Sequence, residues 1–274
     1  MKKFLYIGAI VVLAGIFLYS GFSLADYFLK SQESQKTYEE LANLVEQARP
    51  EPVPDSGQTP DNPVIPGSPL VSVQHPETGE TVQVLPELAS IFRLNPETVG
   101  WIRIAGTNIN YPVVQSAADN IDYYLYRDFY GEYDSHGCIY AREQCDISAP
   151  SDNITIYGHR MQDHTMFGHL AKYEKKAFWQ ENQYILFDTL TERHTYQIVA
   201  VLTTTATLGQ GFQYHLFVDA KNAADFDEFI RQCKALSLYD TGIDAQYGDK
   251  LITLSTCEYT QENGRLVVVA KRIS

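Results

Sequence analysis

The chain has 274 residues and a net charge of −13, from 21 lysines and arginines against 34 aspartates and glutamates. This charge argues against nucleic-acid binding, which needs a basic surface, and it offers no general attraction to anionic lipids. The hydrophobic content of 45% is that of a globular protein, and four cysteines are too few for a scaffold built on disulfides.

The N-terminus predicts a membrane anchor. Lys2 and Lys3 precede an uncharged run over residues 4–25, which as a helix is long enough to cross a hydrocarbon core of ~30 Å. A secretory signal peptide has a shorter apolar region, and no small-residue cleavage signal precedes Asp26. We therefore expect an uncleaved, single-pass anchor in the cell membrane, with residues 1–25 including the cytoplasmic lysine pair and everything after Asp26 outside.

Residues 26–81 are expected to form an extracellular stalk. Over residues 26–49, an amphipathic helix is predicted by apolar side chains at helical spacing, namely Tyr38, Leu41, Leu44 and Val45. Residues 50–69 hold seven of the twelve prolines, which predicts an extended, semi-rigid spacer. Over residues 82–274 the composition is that of a globular domain.

Short segments rich in Val, Ile, Tyr and Thr, bounded by turn residues, predict that this domain is mostly strands. The predicted strands are 101–105, 109–114, 137–141, 154–157, 184–187, 194–204, 250–255 and 266–271. Helical patterns are fewer and lie at 85–92, 168–173 and 223–236. Because strands and helices do not alternate, we expect a mostly β domain, a barrel or sandwich with added helices, and not βαβ units.

Cys257 is the first candidate catalytic residue, because it lies near the end of the strand predicted over 250–255. A lone cysteine is more often a buried structural residue, whereas a nucleophile needs a positive partner that stabilises its thiolate. His159 is a candidate partner, since it follows Gly158 at the end of the strand predicted over 154–157. A histidine in that position is also more often structural, so neither residue is decisive by itself.

Arg265 is the third candidate, and it follows the turn pair Asn263-Gly264. Positions 257 and 265 are equidistant from position 261, so a hairpin centred there would put the arginine opposite the cysteine. A two-residue turn at Asn263-Gly264 would break that register. The sequence leaves both turns open.

With these residues in view, the chain resembles a class B sortase over about residues 85–274. The motifs occur in the family's order: Val99-Gly-Trp-Ile, Asn110-Tyr-Pro-Val-Val-Gln115, Tyr124-Leu, Asp128-Phe, Tyr157-Gly-His159, Met166-Phe-Gly-His-Leu, Thr253-Leu-Ser-Thr-Cys257 and Gly264-Arg265-Leu-Val-Val-Val. The resemblance implies a closed β-barrel with added helices, a Cys257/His159/Arg265 site, and no required cofactor.

The resemblance also implies a cysteine transpeptidase of the Gram-positive cell surface. Class B sortases cleave a motif similar to Asn-Pro-x-Thr-x near the C-terminus of secreted proteins and join the new carboxyl end to an amine of the cell wall or of a pilin. Cys257 would attack the Thr carbonyl and form a thioacyl enzyme, His159 would transfer protons, and Arg265 would hold the oxyanion or orient the peptide. Wall anchoring or pilus assembly, and transfer or hydrolysis, stay open.

Further residues are implied for the peptide groove by the same resemblance: Ser255, Thr256 and Asn110. Glu258 lies beside the nucleophile, where a carboxylate opposes thiolate formation. We therefore expect the Glu258 side chain to point elsewhere, toward the incoming amine.

Two segments imitate other signals. Ser135-His136-Gly137-Cys138-Ile139 looks like the cysteine motif of L,D-transpeptidases, but that family's second, upstream histidine is missing, since no histidine lies between His75 and His136. The peptide Asn95-Pro96-Glu97-Thr98 reads like a sorting motif, yet it is far from the C-terminus. We interpret it as a helix start or a turn.

Other histidines and cysteines have simpler interpretations. His159, His164 and His169 are five residues apart, a spacing more typical of solvated loop histidines than of a metal site. Cys138 and Cys145 could form a disulfide or stay free. Cys233 lies on the apolar face of the helix predicted over 223–236. The alternative to an enzyme is a catalytically idle surface module that binds protein or wall.

Overall fold

We analysed a computed structural model of the chain. The structure describes residues 2–50, 69–117, 120, 122–207, 209–260 and 262–274. The predicted proline-rich spacer therefore lies almost wholly outside the described residues.

Four α-helices and ten strands are found in this described part of the chain. The helices are α1 (Lys2–Ala48), α2 (Ala89–Leu94), α3 (Lys176–Glu181) and α4 (Ala223–Leu236). The strands are β1 (Val71–Gln74), β2 (Thr81–Val84), β3 (Thr98–Arg103), β4 (Asn110–Val114), β5 (Ile139–Ala141), β6 (Asn153–Tyr157), β7 (Tyr184–Thr189), β8 (Arg193–Thr205), β9 (Leu251–Cys257) and β10 (Gly264–Arg272). All eight predicted strands are present within a few residues, and the β1–β2 hairpin and α3 were not predicted.

Eight strands close into a barrel in the order β10-β8-β7-β3-β4-β5-β6-β9, which confirms the predicted barrel. Most neighbours are antiparallel, but β4 pairs with β5 in parallel, and β6 pairs with β9 in parallel. Strands that are parallel neighbours end at the same edge of the sheet. The carboxyl ends of β6 and β9, which are far apart in sequence, therefore meet.

The barrel is held together by apolar side chains of alternating strand positions. Trp101, Phe187 and Ile252 are fully buried inside it. Outside, α4 buries Phe226 and Cys233 in a second apolar cluster that also contains residues of β8, β9 and β10. Burial of such side chains stabilises the fold by about 1.5–3 kcal/mol each. The predicted core position of Cys233 is confirmed.

Two of the predicted helices differ in type from the sequence pattern. The segment predicted over 85–92 is a 3-10 helix, Pro86–Leu88, followed by α2. The segment predicted over 168–173 is a 3-10 helix, Gly168–Glu174. Pro86 lacks an amide donor and fits the first turn, where no intrahelical partner is needed.

Helix α1 begins with an apolar part long enough to cross a membrane and continues onto the globular domain. Three of its predicted apolar residues, Tyr38, Leu41 and Val45, are buried against the domain, while Leu44 is exposed. The Tyr38 hydroxyl donates to the carbonyl of Gly137 at 3.0 Å. The second half of the predicted stalk helix is thus packed on the barrel.

Candidate active site

The parallel pair β6 and β9 positions His159 beside the strand that ends in Cys257. Tyr157 of β6 pairs with Ser255 of β9. Just beyond β6, the Gly158 amide donates to the Ser255 carbonyl at 3.2 Å, and the Thr256 hydroxyl donates to the Gly158 carbonyl at 2.8 Å. These bonds fix the backbone immediately before both candidate catalytic residues.

Arg265 lies directly opposite Cys257 in the antiparallel pairing of β9 and β10. The register is that of a hairpin centred at position 261, so this prediction is confirmed and the two-residue turn at Asn263-Gly264 is wrong. Asn263 has a φ of 52°, in the left-handed region that asparagine tolerates better than most residues. The Arg265 Nη1 atom donates to the Gly264 carbonyl at 2.9 Å, which holds the guanidinium near the turn.

Cys257, His159 and Arg265 line one surface cavity of about 320 Å³. All three side chains are half-buried, so each is held by the protein and still open to a ligand. The cavity is also lined by Leu125, Tyr140, Arg142, Tyr157, Tyr214, His215, Ser255 and Thr256, with Asp122 and Glu143. A cysteine with a histidine and an arginine in one cavity is the donor and acceptor set that covalent acyl transfer requires.

The imidazole of His159 is oriented by a backbone carbonyl. Its Nε2 atom lies 2.6 Å from the Leu125 carbonyl oxygen, and its ring lies 5.6 Å from the Tyr126 ring. Because a carbonyl can only accept, Nε2 carries the proton in this arrangement. Nδ1 is then the ring nitrogen left to exchange a proton with a substrate. Apart from the Tyr124-Leu motif, nothing in the sequence indicated this partner.

Two hydroxyl groups that form a hydrogen bond with each other belong to the wall of the cavity that contains Cys257. The Ser255 hydroxyl and the Tyr214 hydroxyl are 2.6 Å apart, and both side chains are buried. Burial raises the pKa of Tyr214, so this hydroxyl stays protonated. Ser255 and Thr256 were predicted for the peptide groove, and both line the cavity.

Glu258 and Asn110, predicted for peptide or amine binding, do not line this cavity. The Glu258 carboxylate turns back on its own loop and accepts from the Thr260 amide at 2.9 Å and from the Thr260 hydroxyl at 2.6 Å. Burial raises the pKa of Glu258, but these hydrogen bonds lower it by more. The net shift of the pKa is therefore downward, and the carboxylate stays charged. Asn110 accepts from the Trp101 indole at 2.7 Å and lines a different cavity, beside α1.

Cys138, the cysteine of the segment that looks like an L,D-transpeptidase motif, is only 1% exposed. Burial raises the pKa of its thiol to about 12, which disfavours the reactive thiolate. The L,D-transpeptidase interpretation is therefore wrong. All four cysteines, including Cys138 and Cys145, are free thiols in this structure.

The segment at Asn95 and the histidines His164 and His169 also have ordinary structural roles. Asn95 ends α2, is buried, and its side-chain oxygen accepts from the Glu97 amide at 2.8 Å, so the segment is a turn as interpreted. The His164 and His169 rings stack at 5.3 Å, and His169 accepts from the Asn108 amide. Among the described residues, no group of three or more histidine, cysteine or acidic side chains is arranged to hold a metal ion.

A closed barrel that presents cysteine, histidine and arginine in one cavity defines a sortase-type cysteine transpeptidase. The chain belongs to the sortase family: a model described as "Sortase domain" matches residues 102–273. It is similar to sortase B of Staphylococcus aureus, at 27% identity over 100% of this chain and 98% of that protein. Sortase B of Listeria monocytogenes is 28% identical over 100% of this chain and 99% of its own length.

Solved structures agree with these sequence relatives. A Staphylococcus aureus sortase B–substrate complex superposes with a TM-score of 0.71 at 27% identity, covering 90% of this chain and 99% of that one. Bacillus anthracis sortase B in complex with AAEK1 gives a TM-score of 0.68 at 30% identity, with the same coverage of 90% and 99%. The predicted class B resemblance, the fold and the enzyme class are confirmed.

Proposed function

We propose that this chain is a membrane-anchored sortase that cleaves an Asn-Pro-x-Thr-x-like sorting motif and transfers the protein to an amine. The observation that carries the proposal is the pairing of Cys257 with Arg265, in the same cavity as His159. The cleavage would fall between Thr and the following residue. The acceptor would be an amine of a peptidoglycan precursor or of a pilin.

The first half of the proposed reaction forms a thioacyl enzyme. The Cys257 thiolate attacks the Thr carbonyl carbon, a C–S bond forms, and the C–N bond to the next residue breaks. His159 gives a proton to the leaving amine. Arg265 stabilises the negative charge that develops on the carbonyl oxygen, with the planar donor fork that an arginine offers.

The second half transfers the acyl group. An incoming amine attacks the thioester carbon, His159 removes the amine proton, and the C–S bond breaks to restore the Cys257 thiolate. The Leu125 carbonyl supports this role, because it keeps the proton on Nε2 and leaves Nδ1 as the atom that gives up and takes back a proton. Water could replace the amine, which would make the chain a hydrolase.

The apolar start of α1 supports a single-pass anchor, with Lys2 and Lys3 on the cytoplasmic side and the catalytic domain outside. In this proposal residues 1–25 are the cytoplasmic lysine pair and anchor, residues 26–81 the stalk, and residues 82–274 the catalytic domain. Because α1 packs on the barrel from about Ser31 onward, a soluble version should keep that segment.

The test uses the full-length chain in detergent micelles with quenched peptides carrying Asn-Pro-x-Thr-x variants, with and without triglycine. We expect cleavage after Thr and, with triglycine, an amine adduct identified by mass. Both products should disappear in Cys257→Ala and persist in Cys138→Ala, the matched control.

Other products would point elsewhere. Release of the free acid alone, in the presence of several amines, would make the chain a hydrolase. No cleavage of any variant, together with a Cys257 thiol that resists alkylation, would favour the idle binding module instead.

A further inference from the structure

The active-site cavity contains a second arginine that the proposed mechanism does not use. Arg142 follows β5, and its amide donates to the Thr155 carbonyl of β6 at 2.8 Å. The Gln115 side chain donates to the Arg142 carbonyl at 2.8 Å. Arg142 therefore stands on a backbone held by the barrel, on the wall of the cavity that Cys257 also lines.

Arg142 lies close enough to His159 and Cys257 for one bound peptide to contact all three residues. Its backbone partner, Thr155, comes four residues before His159 on the same strand and its extension. At about 3.3 Å per residue, the two backbone positions are ~13 Å apart along the strand direction, and the Arg142 side chain reaches toward the hydroxyl of Tyr157, two residues before His159. An extended peptide covers that distance in about four residues. A substrate held at His159 and Cys257 can thus reach the Arg142 end with a side chain or terminus a few residues from the reacting bond.

Arg142 differs from five other arginines of the described residues in having no carboxylate partner. Its Nη1 atom lies 3.3 Å from the Tyr157 hydroxyl, and its Nε atom is buried without a hydrogen-bond partner. Within the described residues it forms no ion pair, whereas such pairs are made by Arg49, Arg103, Arg160, Arg193 and Arg231. The Arg142 side chain is only half-buried, so an anion carried by a ligand could pair with its guanidinium.

His215 lies close enough to both Arg142 and Arg265 to be affected by their charges. Burial lowers the pKa of His215, and Arg142 and Arg265 lower it further, so both guanidiniums act on the same imidazole. Two carboxylates, Asp122 and Glu143, also line the cavity, but they accept from the Tyr140 hydroxyl and the Gln144 side-chain amide and not from either arginine. Among the described residues, Arg142 and Arg265 donate only to neutral oxygens, so a ligand carboxylate would be their first charged acceptor.

We propose that Arg142, with the Tyr157 hydroxyl and His215 beside it, forms a carboxylate-binding subsite of the transpeptidase cavity. It recognises either an acidic residue of the sorting peptide or a carboxylate carried by the acceptor next to its amine. Arginine binds a carboxylate through two parallel N–H donors, which here would come from the Nη atoms, since Nε is buried. The inference rests on the proposed function and specifies which substrates that function prefers.

The kinetic test uses the full-length chain in detergent. Peptides based on Asn-Pro-x-Thr-x carry Glu or Gln, and Asp or Asn, at each variable and flanking position. Glycine and glycinamide serve as paired acceptors. We expect one of the two series to show about a tenfold preference in kcat/KM for the carboxylate over its amide, the scale of one charge-assisted hydrogen bond. The series that shows it identifies the source.

Three variants assign the preference to Arg142. Arg142→Gln should bring the ratio close to one, Arg142→Lys should retain part of it, and Arg93→Gln, an exposed arginine outside the cavity, should keep it unchanged. Equal rates for carboxylate and amide in both series, or a preference that survives Arg142→Gln, would overturn the subsite.

A binding measurement decides the matter even if no peptide is cleaved, an outcome that would count against the proposed function and not against the subsite. N-acetylglutamate should shift the Arg142 Nε–H resonance of the parent protein, and N-acetylglutamine should not. Equal shifts with both compounds, or none with either, would contradict the inference independently of catalysis.

Discussion

The barrel carries two histidine–cysteine pairs, His136 with Cys138 and His159 with Cys257, and the second pair lines the cavity described above. Cys138 is 1% exposed beneath α1, and His136 is fully buried. Cys257 and His159 are half-buried at the meeting ends of two parallel strands. The residue types are alike in the two pairs, so access to a ligand is what separates them.

The buried pair has a structural role of its own, which is to hold α1 on the barrel. His136 lies between two carboxylates, 2.8 Å from Asp134 and 3.4 Å from Asp163. Ser31 of α1 donates to Asp163, and the Tyr27 ring stacks on the His136 ring at 6.2 Å. In the pair formed by His159 and Cys257, the histidine is oriented by the Leu125 carbonyl and not by a carboxylate.

The largest difference between the pairs should appear on removing each thiol. Cys257→Ala should reduce peptide cleavage by at least about 10³-fold, because no other group can form the thioester. Its melting temperature should stay within about 2 °C of the parent, since the thiol is half-buried at a strand end. Cys138→Ala should keep its activity but lose about 1 kcal/mol of stability from the buried site.

Cleavage rates and calorimetric melting temperatures of both variants check this prediction. Unfolding of Cys257→Ala well below the parent temperature would make Cys257 structural. Loss of activity in a folded Cys138→Ala would reverse the assignment of the two pairs.

Thiol labelling compares the same cysteines without mutation. A pKa of about 12 reduces the thiolate of Cys138 by about 10³-fold relative to an ordinary thiol, and burial also raises the pKa of Cys145 and Cys233. Iodoacetamide at pH 8 should therefore modify Cys257 alone in the folded protein, and all four cysteines in guanidinium chloride. Mass mapping of tryptic peptides gives the result, and early labelling of Cys138 in the folded state would contradict it.

Substitution of Arg265 tests how much this arginine contributes to catalysis by Cys257 and His159. Arg265→Ala should lower kcat by about 10²-fold or more, the usual effect of removing an oxyanion donor. Arg265→Lys should recover little, because an ammonium group keeps the charge but not the planar fork. Arg160→Lys, outside the cavity and paired with Glu174, is the control. Full activity of Arg265→Ala would remove Arg265 from the mechanism.

The features of the site that follow local patterns were predictable from the sequence. Cys257 and Arg265 were recognised as candidates at the ends of strongly β-forming segments, and their opposition was one of the two registers that the sequence left open. Cys233 could be assigned to the core because α4 has a regular apolar face.

Features that depend on distant strands were not predictable. The Leu125 carbonyl reaches His159 across 34 residues, and backbone groups carry no residue-specific signal. Arg142 enters the cavity only because β5 pairs with β6 and β6 with β9. Asn110 belongs to a matching motif, but its side chain meets Trp101 at another cavity. The β1 and β2 strands alternate apolar and polar residues, but each has only four residues, too few for the pattern to stand out in the sequence.

The smallest expected effect concerns the pH dependence of the buried pair. Burial lowers the pKa of His136, but Asp134 and Asp163 raise it by more, so its folded pKa lies above the usual value. Burial raises the pKa of Asp163, yet Ser31, Thr165 and His136 lower it to about 2. The charged His136 therefore stabilises the fold below about pH 6.5, and this contribution is lost as pH rises through its folded pKa.

The carboxylates act in the opposite direction, because their stabilisation is present above about pH 4 and is lost only as pH falls through their lowered pKa values. His136→Gln should thus melt below the parent by the largest margin near pH 5–6, and the difference should shrink by about 2–4 °C as pH rises above 6.5. Peptide cleavage at fixed pH should be unchanged, since His136 does not line the cavity. A margin that stays constant from pH 5 to 9 would mean that the charge of His136 does not hold α1, and its role would reduce to packing.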